Sequence, residues 1–150
     1  MTPNNFIAKA EVSIQGSLDL VWDALINPET IKKYMFGTTV VSDWREGGNI
    51  IWKGEWKGKQ YEDKGVILQL KPKKLLKYTH FSPLTGLRDV PENYHTVRIE
   101  LTKLGKFVHV TLSQDNNATE EAREHSEQNW NMMLKGLKEL LESAKVQSVK

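Results

Sequence analysis

The chain has 150 residues, of which 39% are hydrophobic and 27% charged, with a formal net charge of +2 and no cysteine. That length and balance fit one globular domain with a sizeable core, and the small net charge gives no global field for nucleic acid. The missing cysteines exclude disulfides, thiolate zinc sites and a cysteine nucleophile. No apolar stretch approaches the ~18 residues of a membrane span.

The opening Met-Thr-Pro-Asn-Asn lacks the charged region and apolar run of a secretory signal, so a cytoplasmic location is expected. In Phe6–Ile14 the even-numbered residues Phe6, Ala8, Ala10, Val12 and Ile14 are all apolar, which predicts a strand with one buried face. Gly16-Ser17 stops it, and Ser17 can cap a short helix whose Leu18, Val21, Trp22, Leu25 and Ile26 share a side. Asn27-Pro28 starts a second short helix, with Ile31, Tyr34 and Met35 on its apolar side.

From Gly37 onward the period switches to two. Strands are expected near Thr38–Arg45, Gly48–Trp56, Lys59–Leu70, Lys74–Phe81, Tyr94–Lys103 and Phe107–Gln114. Glu46-Gly47-Gly48, Lys57-Gly58 and Leu104-Gly105 can turn between them, and Lys71-Pro72 breaks another pairing. Consecutive strands joined this way form an antiparallel meander. A long connection, Ser82–Asn93, holds Pro83, Gly86 and Pro91; loops of that length serve as lids or binding loops, or as inert surface excursions. The lysine excess from Lys57 to Lys77 reads as a solvated sheet face or as a patch for a polyanion.

Alternation assigns the faces. Ile50, Trp52, Gly54 and Trp56 point together, as do Val66, Leu68 and Leu70, then Leu76, Tyr78 and His80. His95, Val97, Ile99 and Leu101 form the next set, and Val108, Val110, Leu112 and Gln114 the last, with charged residues on the other side. The final element, Asn117–Ser143, is a long helix with Asn117 as N-cap and Glu120 completing a capping box. Its stripe of Trp130, Met133, Leu134, Leu137, Leu140 and Leu141 is the partner that the apolar sheet face needs.

Strand, two short helices, six strands and a long helix is the order of the helix-grip fold, an α+β architecture in which a curved antiparallel sheet closes on a helix. VWDAL at Val21–Leu25, SDW at Ser42–Trp44, GEWKGKQYEDKG at Gly54–Gly65 and YTHFSPLTG at Tyr78–Gly86 carry a more specific likeness. PENYHTV at Pro91–Val97, LSQDN at Leu112–Asn116 and EHSEQNW at Glu124–Trp130 complete it. Together they resemble the START-like (SRPBCC) superfamily, in the branch named after the activator of the heat-shock-protein-90 ATPase. The resemblance spans about Phe6 to Glu142 as a single domain. It implies a deep cavity between sheet and C-terminal helix, where relatives hold lipids, sterols, polyketides and other apolar molecules and a minority catalyse cyclisation or hydrolysis. The co-chaperone that names the branch carries an additional N-terminal domain for which this chain has no room, so a co-chaperone-like role in stress response ranks as an alternative.

The candidate site residues follow from the faces. Trp44, Trp52, Trp56 and Trp130 fill a core or wall a partly polar cavity, since an indole N–H wants a partner. Leu68, Tyr78, Met133 and Leu137 would supply apolar contact, with methionine adapting to irregular contents. His80 and His95 flank the long loop on adjacent strands; they are structural, or they orient a ligand or act as acid and base. Glu62 and Asp63 are sequence neighbours on opposite faces and cannot form a carboxylate dyad. The phase of Val66 and Leu68 turns Glu62 and Lys64 inward, unless Gly65 marks a bulge. His109 falls on the wet face, and His125, Gln128 and Asn129 flank the helix stripe at the cavity rim or at its polar margin. A metal would require a third ligand such as Glu62 beside the two histidines, so no metal and no cofactor are expected. The expected function is binding of a small apolar or amphipathic molecule; the alternative is an enzyme using the cavity histidines.

Overall fold

The computed structural model describes residues 6–148; the side chains of Trp56 and of residues 144–148 lie outside that description. In chain order the elements are β1 (Phe6–Gln15), α1 (Leu18–Ile26), α2 (Pro28–Tyr34), β2 (Thr39–Ser42) and β3 (Asn49–Trp56). They continue with β4 (Lys59–Lys71), β5 (Leu75–His80), β6 (His95–Leu104), β7 (Phe107–Asn117) and α3 (Glu120–Ser148). One seven-stranded sheet runs in the order β1-β7-β6-β5-β4-β3-β2, antiparallel at every pairing. This is the expected helix-grip architecture.

Local chemistry sets the short helices. The Ser17 hydroxyl accepts from Leu20 N–H, and Asn27 Oδ1 accepts from Glu29 N–H with Pro28 at the first helical position. β2 is shorter than its sequence suggests because Trp44 sits at φ 53, a left-handed conformation that no strand continues through.

α3 runs along β1 and also touches β7, α1 and α2. β1 is an edge strand, and side chains of α3 satisfy part of its outward backbone. Glu127 accepts from Lys9 N–H at 2.9 Å, Glu142 accepts from Gln15 N–H at 3.0 Å, and Lys138 Nζ donates to Ser13 O at 2.6 Å. The helix thus closes an edge that would otherwise invite strand addition. Its cap differs from the expectation: the Thr119 hydroxyl accepts from Ala122 N–H. Asn117 instead ends β7, buried, with Nδ2 donating to Phe6 O and Gln114 O and Oδ1 accepting from the Ser126 hydroxyl. A buried amide with several backbone partners at hand outweighs its capping preference.

β4 departs most from the expected phase. Its pairing with β5 passes from Ile67↔Tyr78 to Gln69↔Lys77, so Leu68 is an extra residue in a β-bulge. Before the bulge Asp63, Gly65 and Ile67 face inward, Gly65 and Ile67 being buried; Val66 and Leu68 are 36% and 42% exposed. The inward orientation expected of Glu62, Lys64, Val66 and Leu68 is therefore reversed. The run Gly-Val-Ile-Leu-Gln-Leu offers aliphatic residues in both phases, and the bulge lets Ile67 and Leu70 both reach the core. Gly65 also serves a close approach: a Cβ there would lie 1.7 Å from Thr79 O.

Candidate functional site

Two adjoining chambers lie between the sheet and the N-terminal half of α3. The inner one, about 30 Å³, is lined by apolar groups that include Leu25, Ile31, Trp44, Ile50, Leu76 and Met133. The outer one, about 100 Å³, adds Thr38, Tyr61, Asp63 and His80. Met35, Trp52, Tyr78 and Trp130 line both. Both fall well below the ~300–1,000 Å³ of a site for a drug-sized ligand, so the deep cavity that the resemblance implied is here a nearly filled core with a small polar end.

That polar end is built by register. Trp52 pairs with Asp63 across β3 and β4, and His80 pairs with His95 across β5 and β6. His80 Nε2 and Asp63 Oδ2 are 3.0 Å apart, a hydrogen bond in which the imidazole N–H donates. The Trp52 ring meets His80 edge-on at 4.9 Å between centroids and leans on Tyr78 at 5.2 Å. Tyr61 lies over Gly54, its cross-strand partner; a Cβ there would come within 2.4 Å of the phenol oxygen. Its hydroxyl bonds the Thr38 hydroxyl at 2.7 Å. Asp63 Oδ1 is buried and meets no hydrogen-bond partner among the described residues.

Desolvation raises the Tyr78 phenol above its ordinary value, and the same cause followed by the nearby Tyr78 raises that of Tyr34, whose hydroxyl donates to Ala24 O at 2.7 Å. Both tyrosines stay neutral in the core at any physiological pH.

The structure brings together most of the sequence candidates. Trp52, Tyr78 and Trp130 wall both chambers, Trp44 and Met133 the inner one, and His80 the outer one. Trp130 Nε1–H donates to Gln114 Oε1 at 2.6 Å, which gives that indole its partner. His95 lies beside the site without lining it: its ring centre is 6.4 Å from that of His80, and Nδ1 is 2.8 Å from Asp115 O, to which it donates. Leu137 is fully buried but lines neither chamber, so it packs the core. Leu68 is on the outer face and leaves the candidate set. The Trp56 side chain lies outside the described residues. Glu62 faces outward toward Lys53 and does not join the histidines as a metal ligand.

His109 bonds the Ser13 hydroxyl on the outer face, and His125, Gln128 and Asn129 are exposed. The long loop forms two 3-10 turns and is tethered, with Asp89 ion-paired to Lys64 and accepting from the Tyr94 hydroxyl at 2.6 Å. It lines neither chamber.

Asp63 and Tyr61 are the residues that alternation missed. The signal for them was present, because Tyr61, Asp63, Gly65 and Ile67 alternate as regularly as the opposite phase. The buried carboxylate decides the character of the site: a histidine held by an acid, among aromatic rings, at the end of an apolar core.

The comparisons bear on the family and the fold. The family model described as "Activator of Hsp90 ATPase homolog 1-like protein" matches residues 15–142. No curated protein matches. The solution structure of ChR145 from Cytophaga hutchinsonii is 59% identical, with a TM-score of 0.85, covering 97% of this chain and 99% of that one. The Aha1 dimer from Colwellia psychrerythraea is 18% identical with a TM-score of 0.70, covering 91% and 96%. DynU16, a putative protein in the dynemicin biosynthetic locus, is 15% identical with a TM-score of 0.76, covering 92% of this chain and 48% of that one. The last two likenesses concern the fold alone. No helix among the described residues is long and apolar enough to cross a membrane. With a family match across residues 15–142 and a closely similar solved relative, the chain belongs to the activator of Hsp90 ATPase homolog 1-like family, within the START-like superfamily.

Proposed function

We propose that the chain binds a small molecule with an apolar body and a polar head in the space between sheet and α3. One observation carries the reading: an apolar chamber and a second one that adds Thr38, Tyr61, Asp63 and His80 share Met35, Trp52, Tyr78 and Trp130 as walls. Apolar walls with a few convergent polar groups are the usual make-up of a small-molecule site. The volumes require either a compact ligand or outward movement of adaptable side chains, and Met35 and Met133 are the residues suited to that.

Native mass spectrometry of freshly purified protein, and titration with an apolar fluorescent probe, test the reading. A stoichiometric complex is expected, and Met133→Trp, which fills the inner chamber, removes it while the fold persists. Failure of every apolar and amphipathic probe to bind sinks the reading.

A second reading, acid–base chemistry on the bound molecule, is favoured by the Asp63–His80 hydrogen bond, because a carboxylate that fixes an imidazole's orientation is half of such a device. Turnover lost in His80→Ala with folding intact supports it, whereas unchanged turnover counts it out.

A further inference from the structure

Among the described residues the one buried side-chain polar atom without a partner is Asp63 Oδ1. Its sister oxygen accepts from His80 Nε2–H, so the two oxygens are treated differently by the fold: one is held, the other left for something else. Buried carboxylate oxygens are costly to leave unpaired, and a donor from outside the chain, water or a ligand, is one way to meet that cost.

The surroundings state what kind of donor. Trp52, Tyr61, Tyr78 and Trp130 line the same chamber of about 100 Å³ as Asp63. The hydroxyls of Thr38 and Tyr61 are engaged with each other, and the Trp130 N–H with Gln114. No lysine or arginine lines the chamber to neutralise the carboxylate. Aromatic rings around an anionic oxygen favour a cation over a neutral donor, because the ring quadrupole and the carboxylate both attract positive charge in a poorly solvated space.

We propose that Asp63 Oδ1 receives the ammonium head of a primary amine, whose alkyl or aryl body extends past Trp52 and Trp130 into the apolar chamber lined by Leu25, Ile31 and Met133. This deepens the small-molecule reading and rests on it. His80 is a positioning residue in this arrangement: by donating to Oδ2 it fixes the carboxylate plane, and the ammonium head reaches Oδ1 only as the adaptable Met35 side chain gives way.

The test compares n-hexylamine with 1-hexanol, which differ chiefly in the charge of the head. Binding is read by calorimetry, and the site by indole N–H shifts of Trp52 and Trp130. The amine is expected to bind at least ten-fold tighter than the alcohol and to move both indole signals. In Asp63→Asn the preference falls toward unity while the alcohol's affinity is retained. In His80→Gln, which keeps a donor, the preference persists. Equal affinity of amine and alcohol for the unaltered protein overturns the amine assignment, leaves the small-molecule reading standing, and makes Oδ1 a site for water alone. A preference that survives Asp63→Asn overturns it too. If neither compound binds, the amine assignment falls, and the small-molecule reading is decided separately by the probe titration. The comparison on the unaltered protein decides the matter even where Asp63→Asn does not fold.

Discussion

Trp130 and Gln114 join α3 to β7 by a single short hydrogen bond, 2.6 Å from the indole N–H to the amide oxygen. Gln114 is only 8% exposed, so its oxygen has no ready substitute from bulk water. Trp130→Phe removes the donor and is expected to cost about 1–3 kcal/mol, the penalty for an orphaned buried acceptor. Adding Gln114→Leu to Trp130→Phe should recover part of that loss, since both polar partners are then gone. Urea denaturation of the two single variants and the double variant measures the coupling.

Gly65 tests the packing of β4 on β5. A methyl group there would sit 1.7 Å from a backbone carbonyl, which cannot swing aside as a side chain can. Gly65→Ala is expected to destabilise by about 3 kcal/mol, the upper end for overpacked sites. Gly47→Ala, at φ 83 but with nothing within 4 Å, serves as the comparison: there the cost is backbone strain alone. A Gly65→Ala variant as stable as the parent would contradict the described strand approach.

Leu137 and Leu68 make an opposed pair. Leu137 is 0% exposed in the core, and Leu137→Ala should cost about 2–5 kcal/mol. Leu68 is on the outer face at 42% exposure, and Leu68→Ala should change stability by no more than about 0.5 kcal/mol. Equal losses in thermal or urea unfolding would restore Leu68 to the interior and reject the bulge.

Glu127 gives the fold an acid-sensitive fastening. The Lys9 backbone N–H, and then Arg123, hold its carboxyl below the ordinary carboxylate range. A depressed folded value means that the unfolded chain binds the proton more tightly. The stabilisation is therefore complete above the unfolded value of about 4.3 and is lost as pH falls through the lower folded value. Glu127→Gln should be less stable than the parent at pH 7 and should lose less further stability on acidification below pH ~5. Parallel stability-against-pH curves for the two proteins would show that Glu127 contributes nothing to the acid limb.

Much of this was legible in the residues. Ser17 and Asn27-Pro28 announce the two short helices because capping is local chemistry. The faces of β3, β5, β6 and β7 follow alternation, and His80 does lie opposite His95. Two things were not legible, for different reasons. Asn117 has the chemistry of a cap, yet its amide was taken by Phe6, more than a hundred residues earlier in the chain. β4 is aliphatic in both phases near its bulge, so its own sequence could not choose; the choice is made by Gly65 approaching Thr79 and by Ile67 entering the core. Because of that choice the candidate site contains Asp63 rather than Glu62 and Lys64.

The bulge at Leu68 therefore makes the interior's polarity a matter of chain length. With β5 and the core end of β4 held in place, removing one residue at Leu68 would turn the strand before it by one position, carrying Asp63 and Tyr61 to solvent and bringing Glu62 and Lys64 beneath α3. A chamber whose one acid is held by His80 would become one with an acid and a base. A single codon lost there would thus change the charge lining the chamber without a substitution at any other residue.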